Sequence, residues 1–280
     1  MRKSGRIFLL IVFFLLLAIG LIVFLFNSFT SGNRSQEAFF DEEIRNIFVS
    51  AENADVTMLP SENESTAVEL SGNNEDFSLS TNLDGNQLTV EVSSTSRFFD
   101  FGSPDAAALT IHIPLTNARV VDLHSSNGEI QISDIEPYEF AAYTANGDIE
   151  IQNVYAKYFA AETANGGISV RESEAQIVET DSSNGDIHLE NITAYVNLIA
   201  NSSNGKIELL TTELASPIEF TTNNGDIIIQ TENKPTQGHI EATASNGKIN
   251  IFGDDSEQIT FDGEFPFLKV ITVNGDILME

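Results

Sequence analysis

The sequence has no cysteine and no tryptophan, only four histidines and seven prolines, and 13 Lys+Arg against 42 Asp+Glu. Without cysteine there are no disulfides, no thiolate nucleophile and no Cys-ligated zinc or iron–sulfur centre. The shortage of basic residues leaves a net charge of minus 29 and a sequence pI near 4.2. Phosphate backbones are bound by clustered Lys and Arg, and no such patch is present, so nucleic acid is excluded as a partner. What is present is 280 residues that are 41% hydrophobic, with 20 Phe. That is enough apolar material for a core in one large or two modest domains, and it excludes a disordered acidic tail.

The longest apolar run sits at the start. Ile7 to Phe26 carries no charge and is rich in Leu, Ile, Val and Phe. A helix rising about 1.5 Å per residue crosses a hydrocarbon core of roughly 30 Å over such a length. Arg2, Lys3 and Arg6 precede it, and the positive-inside rule keeps residues 1–6 in the cytoplasm and sends everything after Phe26 outside. A cleaved signal peptide is the competing reading, but the run exceeds the usual ~7–15 residues and no small-x-small site follows it. The expected organisation is a cytoplasmic N-terminus (1–6), a transmembrane helix (7–26), a polar linker (27–36), an irregular β cap (37–116) and a repeat region (117–280), placed as a single-pass protein of the cell membrane with an extracytoplasmic domain.

The repeat is marked by Asn-Gly pairs at Asn127-Gly128, Asn146-Gly147, Asn165-Gly166, Asn184-Gly185, Asn204-Gly205, Asn224-Gly225, Asn246-Gly247 and Asn274-Gly275. Their spacings are 19, 19, 19, 20, 20, 22 and 28 residues. Three residues after each Asn stands an Ile, from Ile130 to Ile277, and five after it another apolar residue, from Ile132 to Met279. Six residues before the Asn is apolar, four before is often Ala, and two before is Ser or Thr in all copies but one. Period-two alternation on both sides of a turn reads as strand, turn, strand, with the glycine expected to supply a positive φ.

Two architectures share this parity. An antiparallel meander of Asn-Gly hairpins is one. The other is a parallel β-solenoid of about 19–20-residue coils, in which equivalent residues stack at roughly 4.8 Å. The unbroken Ile column favours the solenoid, because in stacked coils each Ile touches its equivalents above and below. Ile47, Val49, Ala51, Asn53, Val56 and Met58 reproduce the same columns with Ala54 in place of Gly, an eroded copy inside the cap. The segment Phe252–Phe267 interrupts the last two copies and is expected to fold across the end of the stack, with the final copy as its last coil.

Together the N-terminal anchor, the Ile111-His112-Ile113-Pro114 strand and the repeated Ser/Thr-x-Asn-Gly-Asp/Lys-Ile pattern resemble a bacterial family of membrane-anchored, β-strand-repeat "putative adhesins" that includes the LiaG-like proteins encoded beside envelope-stress regulators. The resemblance spans nearly the whole chain. It implies a β-solenoid exterior domain and an adhesive or stress-accessory role in the envelope, and it transfers no binding residues.

Little in the residues points to catalysis. His112, His124, His188 and His239 occupy different repeat columns, so no shared metal or general-base cluster is expected. The column two after each Asn reads Glu129, Asp148, Gly167, Asp186, Lys206, Asp226, Lys248 and Asp276; from Asp186 onward the signs alternate, as for charge pairs between adjacent coils. A sharper alternative places Ca²⁺ on Glu129, Asp148 and Glu150, as in a calcium-dependent polysaccharide-acting β-helix enzyme with Arg171 as base or clamp. The Asn-Gly column itself reads as structural turn, with stacked Asn amides bonding along the stack. The expected protein is therefore not an enzyme, needs no cofactor, and meets the membrane, a cell-wall component or another envelope protein.

Overall fold

The computed structural model describes residues 35–72, 77–94, 107–114, 118–263 and 265–280. The expected anchor 7–26 lies outside the described residues. Among the described residues there is no helix.

Two twelve-stranded sheets face each other across one core. Each repeat contributes its strand before the Asn-Gly turn to one sheet and its strand after the turn to the other. In the middle of the molecule the first-sheet strands Val120–Ser125, Glu139–Thr144, Tyr158–Thr163, Glu174–Ser182, Thr193–Ser202 and Ile218–Thr222 run side by side and parallel. The second sheet stacks Ile130–Ile135, Ile149–Val154, Ile168–Arg171, Ile187–Glu190, Ile207–Thr211 and Ile227–Thr231 in the same order. Ile130 pairs with Ile149, Ile149 with Ile168 and Ile168 with Ile187, all buried. The fold is the β-solenoid, not the hairpin meander: strands joined by an Asn-Gly turn lie in opposite sheets, so no hydrogen-bond ladder forms within a repeat.

Both ends depart from sequence order. The strand Phe267–Thr272 lies between Ile218–Thr222 and His239–Ala244, and Ile277–Met279 lies between Ile227–Thr231 and Ile249–Ile251. The final copy is thus inserted one coil inward, and the copy before it is outermost. This corrects the expectation that the chain ends on its last coil. From the 252–267 insert, Gln258–Thr260 pairs antiparallel with residues 239–241 and covers the outer edge of the first sheet. At the other end Asn46–Ala51 and Ala54–Pro60 stack on the first Asn-Gly coil, with Ile47 on Val121 and Val56 on Ile130. Gln87–Ser94 and Ala107–Ile113 then stack outside that coil, although they follow it in sequence. Antiparallel strands finish this end: Phe77–Asp84 on one sheet, Thr66–Ser71 and Gln36–Phe40 on the other. Such covering blunts edges that would otherwise pair with other chains.

Candidate interaction surface

The polar repeat residues are consumed by stacking. The side-chain amide of each turn asparagine donates to the carbonyl oxygen of the Asn in the coil before it. This chain of bonds runs from Asn53 through Asn127, Asn146, Asn165, Asn184, Asn204, Asn224 and Asn274 to Asn246. From Asn146 to Asn274 the second amide proton goes to a backbone carbonyl of the preceding coil, at 3.0–3.3 Å. Aspartate in this column would offer no donor and would stack like charges, which explains the residue type.

The glycines answer a different need from the one expected. None of the eight has a positive φ. Instead, a Cβ on Gly166 would stand 1.9 Å from the carbonyl oxygen of Gly147, and one on Gly185 1.8 Å from that of Gly166. It is close backbone approach between coils that excludes every side chain. The hydroxyl two residues before the Asn closes the same corner: Thr163 accepts from the N–H of Gly166 at 3.1 Å and donates to the carbonyl of Gly147 at 3.0 Å. The one copy without a hydroxyl, Ala244, sits in the outermost coil.

The charged column behaves differently from expectation too. Asp148 accepts from the backbone N–H of Gly167 at 2.7 Å, Asp186 from Lys206 at 2.7 Å, Asp226 from Asp276 at 2.8 Å and Asp276 from Lys248 at 2.7 Å. The aspartates tie each coil to the backbone of the next. Inward insertion of the last copy also puts Asp276 beside Asp226, so the signs do not alternate, and Lys206 pairs within its own coil, with Glu208 at 3.2 Å.

Of the calcium candidates, Glu129 accepts from Gln131 at 3.0 Å and Asp148 spends an oxygen on Gly167. Glu150 and Arg171 line a shallow depression with Thr57, Gln131 and Gln152 on the outer face of the second sheet, and Arg171 reaches Glu190 at 3.5 Å. No group of three or more His, Asp or Glu suited to a metal occurs among the described residues. The histidines stay apart: His124 contacts Asp122 at 2.9 Å, His239 meets Thr260 at 2.7 Å, and His188 meets Glu208 at 3.1 Å. Burial works to raise the Glu208 carboxyl, and hydrogen bonds from Lys206 and His188 outweigh it, leaving that group below its ordinary range.

Two features escaped the sequence reading. A second corner repeats at Asp134, Asn153, Glu172 and Asn191, each left-handed with φ between 49° and 60°; Asn153 donates to Asp134 at 2.8 Å and Asn191 to Glu172 at 2.9 Å. Its signal was the 19-residue recurrence of polar residues, three of them (Asp134, Asn153 and Asn191) of types that tolerate this conformation, with Glu172 the exception. The other is an aromatic corner where one coil passes to the next. Tyr138, Tyr155, Tyr158 and Tyr195 are exposed there, Tyr195 by 62%, beside Val196 at 55%. Lys157 lies 5.0 Å from the Tyr138 ring centre and 5.2 Å from that of Tyr158. The first 20-residue spacing has its physical cause here: between Ala175 and Ile177 the register shifts, and Tyr195 and Val196 bulge outward opposite Gln176.

The Toastrack DUF4097 family matches residues 44–278. The chain belongs to this family. No curated protein matches. Among solved structures, a "putative adhesin" from Bacteroides fragilis aligns with TM-score 0.54 at 15% identity, covering 88% of this chain and 97% of that one. A "putative adhesin" from Parabacteroides distasonis aligns at 0.52 and 10% identity, covering 89% and 98%. A "putative lipid binding protein" from the same species aligns at 0.51 and 13%, also covering 89% and 98%. At these identities the likeness carries the toastrack solenoid fold.

Proposed function

We propose that this Toastrack protein is a non-enzymatic, membrane-anchored platform, held by residues 7–26 and facing outward, that presents its rigid solenoid to a component of the cell envelope. The observation that carries the reading is the division of labour in each coil. The Asn, Gly, hydroxyl and Asp columns are engaged in stacking one coil on the next, while Tyr138, Tyr155, Tyr158, Tyr195 and Val196 stand exposed along the corner where one coil passes to the next. The neighbours described as adhesins agree with a binding role. The acidic surface keeps the domain soluble beside an anionic membrane.

The absence of native cysteine makes the topology directly testable. Single substitutions Ser4→Cys and Glu162→Cys in intact cells should differ toward a membrane-impermeant maleimide. Labelling of Glu162→Cys before lysis and of Ser4→Cys only after it supports the reading; labelling of both only after lysis overturns it.

A further inference from the structure

The aromatic corner has the features of a built surface, not of scattered exposure. Four of the chain's five tyrosines occupy it, in a protein with no tryptophan. Two of the rings are pinned through their hydroxyls: Tyr138 accepts from Lys157 at 2.7 Å and Tyr195 donates to Glu174 at 2.6 Å. Those bonds hold the Lys157 ammonium and the Tyr195 hydroxyl above their ordinary pKa values. Tyr138 and Tyr158 stand edge to face, 6.3 Å between centroids, on adjacent coils. The bulge at Tyr195 and Val196 extends the row, and bulges commonly re-aim side chains at functional places.

We propose that this corner, from Tyr138 across Tyr158 to Tyr195, binds a strand of neutral polysaccharide. The inference rests on the platform reading and names the class of its ligand. Rigid rings with fixed faces suit stacking on the apolar faces of sugar rings, and bind with little loss of side-chain freedom. Coils rise by about 4.8 Å, so Tyr138 and Tyr158 stand one layer apart and Tyr158 and Tyr195 two, with Gln176 and Ile177 in the layer between, a spaced row of rings that an extended glycan can follow. Lys157 and Glu174 flank the rings as donor and acceptor for hydroxyls. Charge selects against the alternatives: a chain of net charge minus 29 repels anionic polymers, and the corner has one cation, Lys157, already shared between two rings. A peptide adding as a strand finds no open ladder, because the N–H groups of Lys157, Tyr158 and Gln176 already donate to neighbouring coils.

The test uses the full chain, purified in mild detergent, with chitohexaose and cellohexaose as neutral probes and polygalacturonate as the anionic one. Tyrosine emission reports binding without tryptophan background. The expected result is a saturable response to a neutral hexamer, a Kd raised at least tenfold by Tyr158→Ala or Tyr195→Ala, and a smaller rise in Tyr195→Phe, which keeps the ring and loses the bond to Glu174 that pins it. In the unmutated chain, bound hexamer should shield Tyr138, Tyr158 and Tyr195 from tetranitromethane, a readout that does not depend on any variant folding. No saturable response to either hexamer, tighter binding of polygalacturonate, or full nitration of these tyrosines under bound hexamer would overturn the proposal. Binding is measured on the purified chain, so it stands or falls separately from the topology measured by maleimide.

Discussion

The middle of the molecule and its two ends are made from the same strand pair, yet they are assembled by different rules. Between Val120 and Thr231 each coil stacks on its predecessor in sequence, and one corner is filled by Asn, Gly and hydroxyl groups in every layer. At the carboxyl end the chain skips a layer to the outermost coil and returns one layer inward to fill the gap, placing residues 267–279 inside residues 239–251. At the amino end it fills the inner layer first, runs to the outer one and passes back over the inner, placing residues 46–60 inside residues 87–113. The difference teaches that the repeat fixes how a coil packs but not which coil it packs on. Any coil with the right columns can take any layer, and the order at the ends is set by the inserts that connect them.

The sharpest break in the comparison is a methyl group. Gly166→Ala in the middle puts a Cβ 1.9 Å from a backbone oxygen; it should cost more than about 4 kcal/mol and abolish a cooperative thermal transition. Gly85→Ala at the end meets nothing within 4 Å and carries only the positive φ of 59°, so its cost should be about 1 kcal/mol. Equal melting of the two variants would erase the distinction.

Next in size is removal of Phe267–Glu280. Because that segment is an interior layer, its loss should expose the Ile227–Thr231 edge and release residues 239–260 as well, seen as hydrogen exchange approaching the unfolded rate across both. A merely terminal layer would leave residues 239–251 protected.

The asparagine column should show a gradient along the stack. Asn165 makes two bonds to the coil before it and accepts one from Asn184, whereas the side chain of Asn246, at the outer end, donates one bond, to Asn274. On the usual net worth of a hydrogen bond, Asn165→Ala should cost about 2 kcal/mol and Asn246→Ala about 1 kcal/mol or less in denaturant unfolding.

The smallest effect concerns the surface ion pairs of Glu208. A carboxyl held below its ordinary range in the folded state adds stability above the unfolded pKa and loses it as pH falls through the folded value. Glu208→Gln should therefore destabilise by under about 1 kcal/mol at pH 7, and the difference from the parent should shrink as pH falls through the lowered folded-state value of Glu208.

Much of the solenoid was legible in the residues. The Ile column, the parity on both sides of Asn-Gly and the degenerate copy at Ile47–Met58 all pointed to stacked coils, because burial of one face imposes the same pattern in every layer. The reason for glycine was not legible: turn chemistry and close backbone approach select the same residue, and only the layers above and below tell them apart. Stacking order was not legible either, since Lys248 and Asp276 satisfy the same column wherever they lie. The aromatic corner was hidden for another reason. Its tyrosines fall just before or at the start of first-sheet strands, at outward positions that the apolar alternation does not mark, and the bulge that exposes Tyr195 appears in sequence only as one extra residue.

The order of layers at the carboxyl end tests the account most directly, and a chain without cysteine gives a clean background for it. Glu219 and Lys269 are outward-facing partners in adjacent strands, as are Lys269 and Glu241. Under mild oxidation the double variants Glu219→Cys/Lys269→Cys and Lys269→Cys/Glu241→Cys should form intramolecular disulfides, because neighbouring strands bring the Cα atoms within bridging range. Glu219→Cys/Glu241→Cys, separated by a whole layer, should not. Bridging of residues 219 and 241 without bridging of 219 and 269 would mean that the coils stack in sequence order, and would contradict the inward return of the chain.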